Sequence, residues 1–79
     1  MNNNIVVYFS NKCHTCFVHM NNMSKTFTFD RIDLDKNPEL YEQLNINITP
    51  TTIKYKNGKE VFRCEGMMFD KQYEELRIK

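Results

Sequence analysis

Residues 5–16 read IVVYFSNKCHTC, and this stretch decides the fold. It opens with a continuous apolar run, residues 5–9, which is rich in β-branched and aromatic side chains. Such a run predicts a strand that is buried on both faces. A polar turn, residues 10–12, separates this strand from Cys13 and Cys16. The stretch therefore predicts a buried strand that leads through a short turn into a pair of thiols.

The two cysteines open a predicted helix that runs from about His14 to Met23. The helix face is formed by residues at positions i, i+3, i+4 and i+7: Cys13, Cys16, Phe17 and Met20. A thiol at the tip of a helix meets unpaired backbone N–H groups and the positive end of the helix dipole. We therefore expect Cys13 to have a lowered pKa and to act as a nucleophile. Cys16, one turn further, is expected to be less exposed and to resolve the mixed disulfide.

Two elements follow this helix. Residues 26–34 alternate between apolar and polar side chains and predict a second strand. Asn37, Pro38 and Glu39 then predict the start of a second helix, with Asn37 as its cap and Pro38 at the first helical position. This helix is expected to end near Asn45.

The last third of the chain predicts a hairpin and a final helix. A third strand, residues 51–55, and a fourth, residues 60–64, flank the pair Asn57-Gly58, which strongly favours a tight hairpin turn. After Gly66, an apolar stripe at helical spacing predicts the last helix: Phe69, Tyr73 and Leu76.

These elements give one α/β domain, residues 1–79, with the order βαβ followed by ββα. The first two strands are joined through a helix and should be parallel, with a right-handed crossover. The last two form an antiparallel hairpin. A four-stranded mixed sheet flanked by three helices satisfies both conditions, and 79 residues leave no room for a second core.

Charge and composition exclude several classes of protein. The net charge is +1, whereas general nucleic-acid binders carry a basic excess, so we expect no nucleic-acid partner. No apolar run reaches the roughly 18–20 residues of a membrane span, and the N-terminus does not resemble a signal peptide. We therefore expect a cytoplasmic protein without a membrane partner. Three cysteines, an odd number, do not fit a disulfide-stapled secreted scaffold.

A Cys-x-x-Cys that follows a buried strand within a βαβ unit resembles the thioredoxin and glutaredoxin superfamily. Further stretches resemble thioredoxins in the same order: RIDLDKNPEL at 31–40, ITPT at 48–51, KNGK at 56–59 and Gly66. The resemblance implies a minimal thioredoxin fold in which the bond between Thr49 and Pro50 is cis. It also implies that substrate binds along Thr49, Pro50, Glu65 and Gly66.

Several positions depart from the pattern of full thioredoxins. Lys12 stands where thioredoxins have tryptophan, His14-Thr15 replaces Gly-Pro, and Val7 takes the place of a buried acid. The chain lacks the N-terminal strand and helix of a full thioredoxin, a size similar to glutaredoxins and to the small redoxins that serve ribonucleotide reductase. The basic residue and the paired acids by which glutaredoxins bind glutathione are also missing, because Ser10 and a single acid, Asp70, stand there.

The residues around Cys13 should tune its chemistry: Lys12, His14 and Thr15. A protonated His14 imidazole would favour the thiolate and so stabilise the reduced form. We therefore predict a potential less negative than the roughly −270 mV of thioredoxin.

Other interpretations of these residues stay open from the sequence. Cys13 and Cys16 could be core residues, or could bind a metal with His14 or His19, or hold an iron–sulfur cluster between two chains. His19 is more typical of a surface helix residue, and Cys64 of a small side chain on a strand. Residues 67–69, Met-Met-Phe, fit either core packing or an apolar rim beside the thiols.

The sequence thus predicts a monomeric dithiol–disulfide oxidoreductase with no bound metal or cofactor beyond its own redox-active disulfide. By resemblance, its substrates are disulfide-containing proteins, with ribonucleotide reductase as a candidate. Electrons would come from NADPH through thioredoxin reductase, or through glutathione. The alternatives are a glutathione-dependent glutaredoxin and a non-catalytic adaptor that binds a partner through Thr49 and Pro50.

Overall fold

The computed structural model describes residues 3–79; Met1 and Asn2, which the predicted domain includes, lie outside the described residues. The described elements follow the predicted order of strands and helices. They are β1 (Asn4–Phe9), α1 (His14–Met23), β2 (Asp30–Asp33), α2 (Glu39–Gln43), β3 (Thr51–Lys56), β4 (Lys59–Glu65) and α3 (Asp70–Ile78). In residues 3–79, no helix combines the length and the apolar character needed to cross a bilayer.

The four strands form one mixed sheet in the order β2-β1-β3-β4. β1 runs parallel to β2 and antiparallel to β3, and β3 and β4 form an antiparallel hairpin. Asn57 and Gly58 both have positive φ, 55° and 79°, as the predicted hairpin turn requires. The predicted minimal thioredoxin fold, with four strands and three helices, is confirmed.

β1 is buried on both faces, as its apolar run predicts. Val7 belongs to a cluster on the side of α1 and α3, whereas Val6 and Tyr8 belong to a second cluster on the side of α2. All three side chains are 4% exposed or less. Because β1 is an inner strand of the sheet, the loop that follows it begins at the end of a buried strand, between β2 and β3.

Two predicted boundaries are wrong. β2 is shorter than predicted, because only Asp30–Asp33 pair with β1, along its residues 6–9. The start of the predicted strand instead extends the turn at the end of α1, where the Phe27 N–H donates to the Met23 carbonyl at 2.9 Å. Asn37 does not cap α2: its amide donates to the Asp33 carbonyl at 2.9 Å, and α2 begins at Glu39.

The predicted buried face of α1 is rotated from the observed one. Cys16 and Met20 are buried as predicted, but Phe17 is 44% exposed and His19 is fully buried. The prediction that His19 lies on the surface is therefore wrong. The predicted apolar stripe of α3 is also wrong at its first position, because Phe69 is 71% exposed, whereas Leu76 is fully buried as predicted.

Candidate active site

The turn before Cys13 is held by hydrogen bonds to the loop that follows β2. The Ser10 hydroxyl donates to the Asp35 carboxylate at 3.1 and 3.2 Å, and the Asn11 N–H donates to the same carboxylate at 2.8 Å. The Lys12 N–H donates to the Ser10 hydroxyl, and the Cys13 N–H to the Ser10 carbonyl. This network fixes the backbone that delivers Cys13 to the helix tip.

Cys13 is the N-cap residue of α1. Its backbone is extended, with φ −106° and ψ 102°, and its sulfur accepts the Cys16 N–H at 3.2 Å. A thiolate in this position takes the role that an aspartate or serine oxygen usually plays at a helix start. The Thr15 hydroxyl is also 3.2 Å from the sulfur. The side chain is only partly buried, so a reaction partner can reach it.

Two opposing effects set the pKa of Cys13. Partial burial raises it, but hydrogen bonds to the sulfur from Cys16 and Thr15 outweigh this effect and lower the pKa below that of an ordinary cysteine. Donors of this kind stabilise the anion more than the thiol. The helix tip is therefore built to hold a thiolate.

Cys16 has the opposite environment. Its side chain is fully buried in the cluster between the sheet and α1. Burial, followed by the hydrogen bond to Cys13, raises the pKa of Cys16 to about 11. A pair of adjacent thiols with pKa values driven apart is suited to sequential roles, in which the exposed one attacks first and the buried one second.

The loop between α2 and β3 completes the site. The bond between Thr49 and Pro50 is cis, and the Thr49 carbonyl is 3.6 Å from the Cys13 sulfur. The Gly66 N–H donates to the Pro50 carbonyl at 2.7 Å, and Glu65 lies opposite Thr51 in the sheet. Of the four residues predicted to bind substrate, the structure places Thr49 beside Cys13 and joins Gly66 to Pro50, which is fully buried; Glu65 lies on the neighbouring strand.

Of the three residues predicted to tune Cys13, only Thr15 is joined to its sulfur by a hydrogen bond within residues 3–79. The side chains of Lys12 and His14 are exposed. Both residues are neighbours of Cys13 in the sequence. A cation at either position would act on the Cys13 sulfur through space, and water and salt would screen that interaction.

The third thiol lies apart from this pair. Cys64 is partly buried on β4 and packs against the same apolar cluster. Burial raises its pKa, and the nearby carboxylates of Glu75 and Glu65 add to that rise. No group of three or more potential metal ligands occurs in the described part of the chain.

A cavity of about 710 Å³ lies between the C-terminal end of α1, with the turn that follows it, and α3; its lining includes Phe27, Met68 and Tyr73. Neither Cys13 nor Cys16 lines it. The candidate active site therefore lies at the tip of α1, outside this cavity.

Sequence reasoning missed two features around the site. The network that joins Ser10 and Asn11 to Asp35 links positions about two dozen residues apart, and no local pattern reports such a contact. The burial of His19 could have been anticipated, because residues 16, 19, 20 and 23 also fit a helical face. Because phenylalanine is more apolar than histidine, hydropathy placed Phe17 and not His19 on the buried face of the helix, and this choice was wrong.

Comparison with known proteins agrees with this geometry. A family model described as Thioredoxin matches residues 2–77. The chain belongs to the thioredoxin family. A search of curated protein sequences finds no match.

Solved thioredoxin structures resemble the chain closely. Thioredoxin from Fasciola hepatica is 25% identical, with a TM-score of 0.83 over 95% of this chain and 78% of that one. A Schistosoma mansoni thioredoxin is 26% identical, with a TM-score of 0.79 over 95% and 74%. Chlamydomonas reinhardtii thioredoxin f2 is 24% identical, with a TM-score of 0.84 over 95% of this chain and 76% of that one. Family and neighbours support a thiol–disulfide oxidoreductase that acts on disulfide-containing proteins and has a reductase as partner.

Proposed function

We propose that this thioredoxin-family chain reduces protein disulfides by dithiol exchange, with Cys13 as nucleophile and Cys16 as resolving thiol. The observation that carries the proposal is the contrast at the start of α1. An accessible sulfur with a lowered pKa accepts N–H and O–H hydrogen bonds, and a buried thiol with a raised pKa lies one turn away.

The reaction has two balanced steps. The Cys13 thiolate attacks one sulfur of a substrate disulfide, and the other substrate sulfur leaves with the electron pair and takes a proton. Cys16 then loses its proton and attacks Cys13, so that the second substrate sulfur leaves as a thiolate. The substrate gains two electrons and the chain ends as a Cys13–Cys16 disulfide.

The surface beside Cys13 offers a place for the substrate backbone. Thr49 lies next to the nucleophile, and Gly66 is tied to Pro50 on the other side of the loop. An extended substrate segment can pair with the backbone of Thr49, a short form of β-augmentation. This arrangement supports a protein substrate, and we propose disulfide-bonded ribonucleotide reductase as one.

We propose thioredoxin reductase with NADPH as the electron source, in preference to glutathione. Where glutaredoxins place a cation for the glutathione carboxylate, this chain has Ser10, whose hydroxyl contacts the carboxylate of Asp35. A carboxylate at this point repels an anionic tripeptide. We further propose that the protein acts as a monomer in the cytoplasm.

Insulin reduction under two recharging systems tests the proposal. We expect turnover with NADPH and thioredoxin reductase, and little with glutathione, glutathione reductase and NADPH. The reverse preference would establish the glutaredoxin alternative. Cys13→Ser should remove turnover in both systems. Full activity of Cys13→Ser would exclude dithiol exchange and leave the adaptor role.

A further inference from the structure

A buried histidine lies one turn beyond the resolving thiol. His19 and Cys16 are both fully buried, and both project from α1 toward the sheet. At a separation of three residues on a helix, their Cβ atoms are about 5–6 Å apart. An imidazole buried without a carboxylate or metal partner is costly, so its presence calls for an explanation.

Only one of the two ring nitrogens of His19 has a hydrogen-bond partner. Nε2 lies 2.9 Å from the Thr52 hydroxyl, on β3. Nδ1 is buried and has no partner among residues 3–79. Thr52 lies directly opposite Val7 in the sheet, and Val7 packs in the same cluster as Cys16. The unpaired nitrogen is therefore enclosed in the layer that holds the resolving thiol.

We propose that His19 is the internal proton acceptor for Cys16 during resolution of the mixed disulfide. The inference rests on the proposed dithiol exchange. The centre of β1 supplies no carboxylate to this layer, because Val7 stands there, opposite Thr52. His19 is the buried group of the layer with a free nitrogen among residues 3–79.

The proposed step moves one proton and one electron pair. The Cys16 thiol gives its proton to Nδ1 of His19, and its sulfur attacks Cys13. The bond between Cys13 and the substrate sulfur breaks, and that sulfur leaves with the electron pair. His19 is then an imidazolium, which releases its proton to the departing thiolate or to water. Re-reduction by the reductase runs the same transfer in reverse.

Protonation states fit this direction. Burial alone lowers the pKa of His19, so the ring is neutral near pH 7 and able to accept a proton. Burial and the interactions with Cys13 raise the pKa of Cys16. In the mixed disulfide Cys13 is neither a thiol nor a thiolate, so its contribution disappears and the Cys16 proton is released more easily.

Titratable and charged side chains on this side of the sheet come from five elements. They are Cys13 and Cys16 at the start of α1, Arg31 and Asp33 on β2, Lys54 on β3, Cys64 on β4, and Tyr73 and Glu75 on α3. The Lys54 ammonium is bound to the Leu76 carbonyl. None of these groups shifts the pKa of His19, and burial is the one cause that lowers it, so its titration should report burial. No hydrogen bond joins Nδ1 to the Cys16 sulfur in the reduced protein, so the proton transfer requires the two side chains to approach during resolution.

The proposal requires one tautomer of the neutral ring. Nε2 must carry the hydrogen and donate to the Thr52 hydroxyl, which leaves the Nδ1 lone pair free. Nitrogen-15 NMR of the histidine-labelled wild-type protein in its reduced state measures this directly. A deprotonated Nδ1 on His19 is expected. A protonated Nδ1 in the neutral ring would overturn the proposal without any variant.

Reaction with the aromatic disulfide DTNB separates the two chemical steps. Attack by Cys13 releases one thionitrobenzoate, and resolution by Cys16 releases a second. We expect His19→Gln to leave the rate of the first phase within twofold of wild type. It should slow the second about 100-fold near pH 7, the usual scale of general base catalysis. Glutamine can still donate to Thr52 and so preserves the anchor.

The pH profile distinguishes a base from a structural residue. In the wild-type protein the second-phase rate should rise as His19 loses its proton, through a pKa below 6.5, and then level off. In His19→Gln it should rise about tenfold for each pH unit without that plateau, as expected when hydroxide removes the proton. A second phase that is unchanged, or that is slowed with an unaltered profile, would overturn the role of His19.

Met23→Leu is the matched control, because Met23 is also fully buried on α1 and the change conserves volume. It should leave both phases unchanged; slowing equal to that of His19→Gln would contradict the proposal. Absence of a Cys13-dependent first phase in the wild-type protein would instead refute the proposed dithiol exchange. The two failures are thereby distinguishable.

Discussion

The helix tip with Cys13 and the strand position with Cys64 make an instructive pair. Both thiols are partly buried, yet the pKa of Cys13 is lowered and that of Cys64 is raised. The sulfur of Cys13 accepts an N–H and lies beside a hydroxyl, whereas burial, and then nearby carboxylates, raise the pKa of Cys64. Hydrogen-bond donors at a helix start therefore outweigh the effect of burial at Cys13, and Cys64 has no such compensation.

The largest expected effect follows from removing one thiol or the other. Cys13→Ser should reduce insulin turnover to the uncatalysed rate, because serine is a poor nucleophile without an activating base. Cys64→Ser is the matched control and should retain full turnover. Loss of activity in Cys64→Ser, with the fold intact by circular dichroism, would contradict the claim that Cys64 takes no part in turnover.

Removal of the resolving thiol, Cys16, also tests whether Cys13 or Cys64 is the reactive thiol. Cys16→Ser should still attack a substrate disulfide, but the mixed disulfide should accumulate because no second thiol lies beside Cys13. Mass spectrometry of the trapped adduct after peptide digestion should place it on Cys13. An adduct mainly on Cys64 would reverse the assignment of the two regions.

His14 tests how much a charge near the helix tip adds. An exposed ion pair contributes about 0.2–1 kcal/mol, which corresponds to about 5–20 mV for a two-electron couple. His14→Gly should therefore make the potential more negative by about 5–20 mV when equilibrated against a glutathione redox buffer. A potential that stays the same or becomes more positive would contradict the claim that His14 stabilises the reduced form.

The smallest predicted effect belongs to the Thr15 hydroxyl. Thr15→Val keeps the shape of the side chain but removes a hydrogen bond to the Cys13 sulfur. Alkylation of Cys13 near neutral pH should slow about two- to threefold, the lower end for a hydrogen bond, because the site is exposed. Thr28→Val, at an exposed position outside α1, should leave the rate unchanged, and equal slowing in both variants would count against the hydrogen bond.

The sequence predicts those parts of the fold that local patterns determine. β1 and the turn at Asn57 and Gly58 form as expected, because an apolar run and a turn dipeptide act over a few residues. The length of β2 depends on where the chain leaves the turn after α1 and meets β1, so residues 26–34 alone could not define it.

The site shows the same division. Cys13, Cys16 and the Thr49–Pro50 pair are recognisable from spacing and resemblance, and the structure brings them together. The contact of Ser10 with Asp35 depends on the tertiary fold, and the burial of His19 depends on which of two helical arcs faces the sheet.

The pH dependence of alkylation of the reduced protein, read thiol by thiol, tests the central claim most directly. The thiolate is the reacting form, so each rate rises through that thiol's own pKa. Iodoacetamide should modify Cys13 first, with a midpoint below the roughly 8.5 of a free cysteine, and Cys64 with a midpoint above it. Equal midpoints for the two, or an earlier one for Cys64, would contradict the claim that the helix start creates the reactive thiol.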